Sequence, residues 1–290
     1  MTPAPSGKTD IPRTDIPRVD LHLHSTASDG TVSPADVVAR AGRAGLVGFS
    51  LTDHDTTAGL DEAEAEASRL GLRFLPGAEL SATEPGRSVH LLAFGFDRND
   101  RSLQVFLEQY DGDRRRRART IVDRLQGLGV GLEYAEVEAQ TGRAAPTRAH
   151  VARALVQGAH VENIESVFRL YLSRGQPAFV EKRDVPPKKV FDIVHAAGGV
   201  VILAHPGRVH GADEVKRWAV DGLDGVEVLH PANRATTRSV MGALVAELGL
   251  LRSGGSDWHG PSSHRKADVG AEPVPEMWFD EIWSRAPAMN

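Results

Sequence analysis

His22 and His24 stand two residues apart behind the apolar residues Val19 and Leu21. On an extended strand that spacing turns both rings to one face, where they can bind one cation. The same arrangement recurs along the chain, with ligand-type residues at or just past the ends of apolar runs. Asp29 lies in a Ser-Asp-Gly turn. Asp53, His54 and Asp55 close residues 46–52, Glu79 closes residues 72–80 and His90 opens residues 89–96. His205 ends Val200-Val-Ile-Leu-Ala204, and Asp257 and His259, again two apart, follow Gly254-Gly-Ser256. Taken singly, each is as well explained by a solvated strand face, a turn or a helix cap. Together at five strand ends they argue for metal, because burying so many imidazoles and carboxylates unpaired is costly and cations offset that cost.

The elements that must position these residues alternate in type. Residues 19–24 read as a strand with Val19, Leu21 and Leu23 on one face and Asp20, His22 and His24 on the other. A helix follows with Ser33 as N-cap, Pro34 at its first position and Gly45 near its stop. Residues 46–52 form the second strand, 61–70 an Ala- and Glu-rich helix ended by Gly71, and 72–80 and 89–96 strands three and four. Strands return at 199–204, 225–229 and 250–254, with helices at 187–197 and 238–248. This alternation predicts an α/β barrel with a parallel sheet, made from residues 19–100 and 181–290. Residues 101–180 hold helix-like stretches (114–127 and 148–157) and no strand, and read as an inserted helical domain. In such barrels the strand ends converge on one rim, where the active site sits.

Composition narrows the chemistry. The 290 residues are 41% hydrophobic and 25% charged, enough for one large α/β domain or a barrel with a small insertion. There is no cysteine, so thiolate zinc sites, cysteine nucleophiles and disulfides are excluded. Imidazole and carboxylate must hold any metal, which suits manganese, iron or zinc. A formal net charge of -5 argues against broad non-specific nucleic-acid binding. No apolar run nears the roughly 20 residues that span a bilayer, and no signal-peptide pattern opens the chain, so the cytoplasm is the expected location. Residues 1–18, with Thr-Asp-Ile-Pro-Arg twice, read as a disordered leader.

The stretches Asp20-Leu-His-Leu-His-Ser, Ser28-Asp-Gly-Thr, Leu51-Thr-Asp-His-Asp, Gly77-Ala-Glu79, Ala204-His-Pro-Gly-Arg208 and Gly255-Ser-Asp-Trp-His259 resemble the polymerase and histidinol phosphatase (PHP) superfamily. The match spans about 19–100 and 181–265, with the motifs in the family's order. The resemblance implies a distorted (β/α)7 barrel with up to three divalent ions at its C-terminal mouth, manganese foremost, with zinc or iron as alternatives. It assigns His22, His24, Glu79 and Asp257 to one ion and Glu79, His90 and His205 to a second. Asp29, His54 and His259 go to a third, where many relatives have His in place of Asp29. The Ser-Asp-Gly turn and the insertion resemble a bacterial branch of nucleoside 3',5'-bisphosphate phosphatases and enzymes acting on the 5' end of short RNA. That branch carries an Arg and a His toward its substrate, here Arg148 and His150 in Thr147-Arg-Ala-His.

The implied activity is phosphate-ester hydrolysis by a metal-bound hydroxide, on a small phosphorylated substrate such as a nucleotide or short RNA. Catalytic roles fall to Glu79, Asp257 and His259, with Arg208 placed to clamp phosphate bidentately. His230, at the end of residues 226–229, is a candidate rim residue for substrate. His160, His195 and His264 carry no motif and read as structural. The sequence implies no membrane and no obligate protein partner. Histidinol phosphate remains an alternative substrate, and amidohydrolase-like C–N hydrolysis an alternative reaction. Barrels of the latter kind often bridge two metals with a lysine on a middle strand, and none of the six lysines ends strand four. A non-catalytic metal-stabilised module fits less well, since every expected ligand position is filled.

Overall fold

A computed structural model describes residues 18–84, 87–141, 144–207, 209–261 and 267–289. All of the expected leader except Arg18 lies outside the described residues. Eight strands form one sheet in the order β7-β6-β5-β4-β3-β2-β1-β8. They are β1 (Arg18–Asp20), β2 (Gly48–Leu51), β3 (Arg73–Glu84), β4 (Arg87–Phe94), β5 (Val200–Leu203), β6 (Gly225–Leu229), β7 (Leu251–Gly254) and β8 (Val274–Pro275). The sheet curves into a nearly closed α/β barrel. Phe49, Leu75, Leu91, Ile202 and Val226 are among its fully buried residues.

The parallel expectation holds for β1 with β2, β2 with β3, β5 with β6, and β6 with β7. It fails at β4, which runs antiparallel to both β3 and β5. Only two residues separate β3 from β4, a connection that can join antiparallel strands alone; a parallel crossover needs a dozen or more. β3 also runs further than expected, so Glu79 lies inside it rather than at its end, and His90 lies within β4 opposite Ser81. The two-residue β8, antiparallel to β1, carries too little pattern to read from sequence.

The first strand is corrected as well. Its ladder stops at Asp20, and residues 21–24 are held between two other segments. Leu21 N donates to Gly254 O (3.1 Å), Asp257 N to His22 O (2.9 Å) and His24 N to Trp258 O (2.9 Å). On the other side Thr52 N donates to Leu23 O at 2.8 Å. Both edges of this segment are therefore bonded, its side chains are buried, and it draws the two ends of the barrel together.

Helices α1 (Pro34–Arg43) and α2 (Leu60–Leu70) begin and end much as their caps dictate. The Ser33 hydroxyl accepts from Asp36 N (3.1 Å), and Gly71 closes α2 in the left-handed region at φ 67°. The insertion's described residues hold helices joined by turns and no strand: α3 (Arg101–Gly127), α4 (Tyr134–Glu138), α5 (Arg148–Gln157) and α6 (Ile164–Val167), which runs into a π turn at Phe168–Leu172. α7 (Pro187–Ala196), α8 (Ala212–Asp221), α9 (Ala235–Leu248) and α10 (Glu276–Arg285) complete the chain's longer helices.

Two apolar cores result. Leu103, Phe106, Leu107 and Tyr110 of α3 pack into the barrel core, whereas Ile121, Val122 and Leu125 join Val151, Leu155, Val167 and Leu172 in a second. At 27 residues, roughly 40 Å long, α3 is a beam rooted in the barrel that carries the second core beside the barrel mouth. Among the described residues no helix is long and apolar enough to cross a membrane.

Candidate metal centre

Glu79 sits at the middle of the mouth with five imidazoles around its carboxylate. Oε1 lies 2.7 Å from His90 Nδ1 and 2.9 Å from His205 Nε2. Oε2 lies 3.1 Å from His22 Nε2, 3.2 Å from His24 Nε2 and 3.1 Å from His54 Nδ1. Asp257 Oδ1 adds contacts of 3.4 Å to His22 and 3.3 Å to His24. Asp29 Oδ1 stands 3.3 Å from His259 Nε2 and 3.9 Å from His54 Nε2.

The backbone bends sharply to present these groups. His205 (φ 26°), Asp257 (φ 53°) and Asp55 (φ 53°) occupy the left-handed region, which is costly for residues with a side chain. Neighbours hold them there. His205 N donates to Glu227 Oε2 (2.5 Å), and Asn233 ties the following loop down by accepting from Gly207 N (3.0 Å). Gly255 permits the close approach beside β1, since a Cβ there would stand 2.5 Å from both the Cβ and the backbone N of His22. Asp53 accepts from Ser25 N, Ser25 Oγ and Ser28 Oγ, fixing the turn that carries Asp29.

Charge in the cluster is set by burial and mutual contact. Burial alone would raise the Glu79 carboxyl, but His54, His90 and His22 hold it well below the usual carboxylate range. Burial pushes His24 and His90 down to about 4, and holds His54 well below its ordinary value. These three rings are therefore neutral near pH 7, with lone pairs to offer. Burial would also lower His22, but Glu227 and Glu79 on its two sides outweigh it and raise it to about 10. A cation at His22 Nε2 would take the place of that proton.

The donor set fits divalent cations. Buried His24 Nε2, His54 Nδ1 and Asp29 Oδ1 have no hydrogen-bond partner within the protein, and all face the same space. Among the described residues, compact sets of ligand atoms within 4.8 Å of one another are His22, His24, Glu79 and Asp257; His24, Asp29, His54 and His259; His54, Glu79 and His90; and His22, Glu227 and His230. The structure thus brings together all nine residues expected as ligands. It differs in detail from the implied grouping: His24 also joins the set around Asp29, and His54 rather than His205 completes the compact set with His90.

Facing the cluster across a cavity of about 510 Å³ is a wall made by the insertion and the segment that leaves it: Arg117, Arg148, Arg153, Phe168 and Lys182. Arg148 lies at the cavity, as expected of a substrate contact, with Nη1 donating to Leu172 O at 3.0 Å. His150 does not line it. Its ring is buried and accepts from Thr147 N through Nδ1 (2.9 Å), capping α5, because the Thr147-x-x-His150 spacing forms a capping box. His230, expected at the rim, is buried against the ligand residues, with Nε2 3.2 Å from Asp257 Oδ2 and its ring 5.2 Å from that of His205. Arg208 lies outside the described residues.

A match to the PHP domain model covers residues 20–178. The chain belongs to the PHP family. It is 38% identical over 248 residues to a 5'-3' exoribonuclease of Haemophilus influenzae, covering 83% of this chain and 89% of the relative. A 3',5'-nucleoside bisphosphate phosphatase of Chromobacterium violaceum is 33% identical over 256 residues, covering 86% and 90%. A solved structure described as a candidate metal-dependent phosphoesterase of Bifidobacterium adolescentis superposes with a TM-score of 0.87 at 32% identity, covering 92% of this chain and 96% of the other. A second, described as an amidohydrolase of C. violaceum with bound sulfate, gives 0.82 at 30% identity, with the same coverage.

Several residues of this PHP centre escaped the sequence reading. Glu227 has a visible signal, a lone carboxylate inside the apolar run Val226-Glu-Val-Leu229. Lys182 has none: it lies in Glu181-Lys-Arg-Asp184, which looks like solvated charge. Yet its Nζ reaches Ser88 Oγ (3.0 Å) and His90 Nε2 (3.4 Å), so a lysine does stand beside β4, delivered from another part of the chain.

Proposed function

We propose that this protein is a metal-dependent phosphoesterase that hydrolyses a nucleotide phosphate ester, either a nucleoside 3',5'-bisphosphate or the 5' end of short RNA. One observation carries the reading: a buried carboxylate ringed by five imidazoles looks across one cavity at a wall of arginines and a lysine. The first arrangement suits cations, and the second suits the anion those cations would activate. The names of the exoribonuclease and bisphosphate phosphatase relatives support this substrate class, and the sulfate in the C. violaceum structure is an anion of phosphate shape.

Two to three divalent ions are proposed, held by His22, His24, Asp29, His54, Glu79, His90, His205, Asp257 and His259. The nitrogen and oxygen donor set suits manganese, zinc or iron, and manganese is proposed first on the family resemblance. Bound ions supply Lewis acidity that makes water nucleophilic near neutral pH and screens phosphoryl charge. The chain's own residues do the rest. Glu79 bridges the groups on either side of it, Asp257 and His259 fix the mouth opposite, and Arg148 orients a substrate phosphate. Arg208 is proposed as a further phosphate clamp. A lysine-bridged amidohydrolase centre fits less well, because the bridging place is filled by Glu79.

Initial rates of the manganese-loaded protein on adenosine 3',5'-bisphosphate, adenosine monophosphate, histidinol phosphate and 5'-phosphorylated RNA test the proposal. Phosphate release from the nucleotides, abolished by chelation and by His22→Ala or Asp257→Asn with the fold kept, is expected. Full activity in the stripped protein, or ammonia release from amides without phosphatase activity, refutes it.

A further inference from the structure

Two grooves lead away from the metal centre, and their charge is opposite. One lies between the β2–α2 connection and α3, with a volume of about 530 Å³, and touches the centre through His54. Its described lining residues include no lysine or arginine; of its carboxylates Asp55 pairs with Arg114 and Asp111 with Arg115, which leaves Glu62 and Glu108 as its uncompensated charge. The other is a cavity of about 330 Å³ between α3 and residues 180–183, sharing Ser81, Arg114, Arg117 and Lys182 with the reaction cavity.

Pairing within the second cavity leaves two cations over. Arg114 binds Asp55, while Arg116 and Arg183 share Asp113. Glu181 turns to Arg174 at 2.8 Å. Arg117 donates from Nε to the Val180 carbonyl (2.8 Å), and Lys182 Nζ reaches Ser88 Oγ and His90 Nε2; among the described residues neither has a carboxylate within ion-pair distance. Both side chains are half-buried. Cations withdrawn from water without a counter-charge are unfavourable unless a ligand supplies one. In a chain of net charge -5, such a pair beside a phosphoesterase centre is not general surface charge.

We propose that this side cavity carries the polynucleotide chain of an RNA substrate away from the metal centre, with Arg117 and Lys182 holding internal phosphodiesters. The inference rests on the nucleotide phosphoesterase reading and extends it. A bisphosphate needs only the reaction cavity, whereas a longer chain must leave it, and the acidic groove repels its backbone. Phosphate contacts by cations along a groove, without base contacts, make the binding independent of sequence and dependent on salt.

The test compares the manganese-loaded wild type with Arg117→Met/Lys182→Met on adenosine 3',5'-bisphosphate and on 5'-phosphorylated hexauridylate, at several potassium chloride concentrations. For the double variant the hexanucleotide KM is expected to rise about tenfold or more, and the slope of log kcat/KM against log salt to shrink by about 1.4, two contacts at about 0.7 each. Arg117→Lys/Lys182→Arg, which keeps both charges, restores the slope. Glu62→Gln/Glu108→Gln, in the acidic groove, leaves the hexanucleotide KM at the wild-type value. An unchanged KM and slope in the Met variant, an equal rise in KM for the bisphosphate, or an effect confined to the acidic-groove variant overturns the proposal. Wild-type hydrolysis of the bisphosphate but not the hexanucleotide overturns it alone; hydrolysis of neither sinks the phosphoesterase reading as well.

Discussion

Glu227 and His22, 205 residues apart in the chain, meet with Oε1 2.9 Å from Nδ1. Both are fully buried. The carboxylate accepts the Nδ1 proton, so that Nε2 of His22 faces Glu79 and Asp257, where a cation would take the place of its proton. Its other oxygen accepts from His205 N, so one side chain sets the direction of two candidate ligands. Glu227→Gln keeps the shape and removes the charge. Partners of this kind are worth 10–100-fold in metal affinity. A loss of roughly that size is expected by isothermal titration with manganese, with substrate KM little changed once metal is saturating. Wild-type metal affinity in the variant would show Glu227 to be packing alone.

The cluster also makes stability depend on metal. Several donor atoms are buried without partners, a penalty that a cation removes in the folded chain only. Binding at 100 times Kd stabilises by about 2.7 kcal/mol. For a protein of this size that is a rise in Tm on the order of 5–10 °C. Differential scanning fluorimetry with and without manganese reads it, and magnesium at equal concentration should do less, given the imidazole-rich donors. Identical melting curves with manganese and with chelator would contradict the assignment.

Arg114 and Asp55 make a different kind of contact. Asp55 is 5% exposed and also accepts from Ser81 N at 2.6 Å, and Arg114, which donates from Nε at 3.0 Å, supplies its counter-charge. This pair joins the β2 end to α3 and therefore fixes the beam beside the mouth. Arg114→Met leaves a buried carboxylate uncompensated and should cost about 3 kcal/mol. Adding Asp55→Asn should recover part of that loss, since both charges are then gone. Urea unfolding of the chelated single and double variants measures the difference, and equal stabilities of the Arg114→Met and wild-type proteins would exclude the pair as a support.

How far the sequence reached depends on whether the signal was local. His22, His24, Asp257 and His259 announce themselves by spacing, and Ser33, Pro34 and Gly71 by cap chemistry, because a few neighbouring residues decide each. The antiparallel β4 was legible too, in the short gap after β3, but the general alternation of strands and helices concealed it. His150 caps α5 instead of lining the cavity, because Thr147-Arg-Ala-His fits both a substrate arm and a capping box, and only burial separates them. Lys182 and Arg117 acquire meaning from a cavity formed by segments some sixty-five residues apart, and no pattern within either segment foretells it.

Away from the centre, His195 on α7 gives the fold a pH-dependent contact. Its Nε2 lies 2.7 Å from Asp224 Oδ2, which also accepts from Val201 N and so holds the start of β5. The Asp224 hydrogen bond raises the imidazole above its ordinary value against the opposing effect of partial burial; Asp192 adds to the rise and Lys188 detracts from it. A group with a raised folded-state pKa contributes fully below its unfolded value, near 6.5, and loses that contribution as pH climbs through the folded one. The pair is partly exposed, so the charged contact is worth no more than about 1 kcal/mol. His195→Gln should therefore lie further below wild type at pH 5.5 than at pH 8.5, by roughly 0.5–1 kcal/mol in urea unfolding of the chelated proteins. Some deficit should persist at the higher pH, because a neutral imidazole still donates to Asp224. A deficit of the same size at both values would mean that the proton on His195 contributes nothing to the fold.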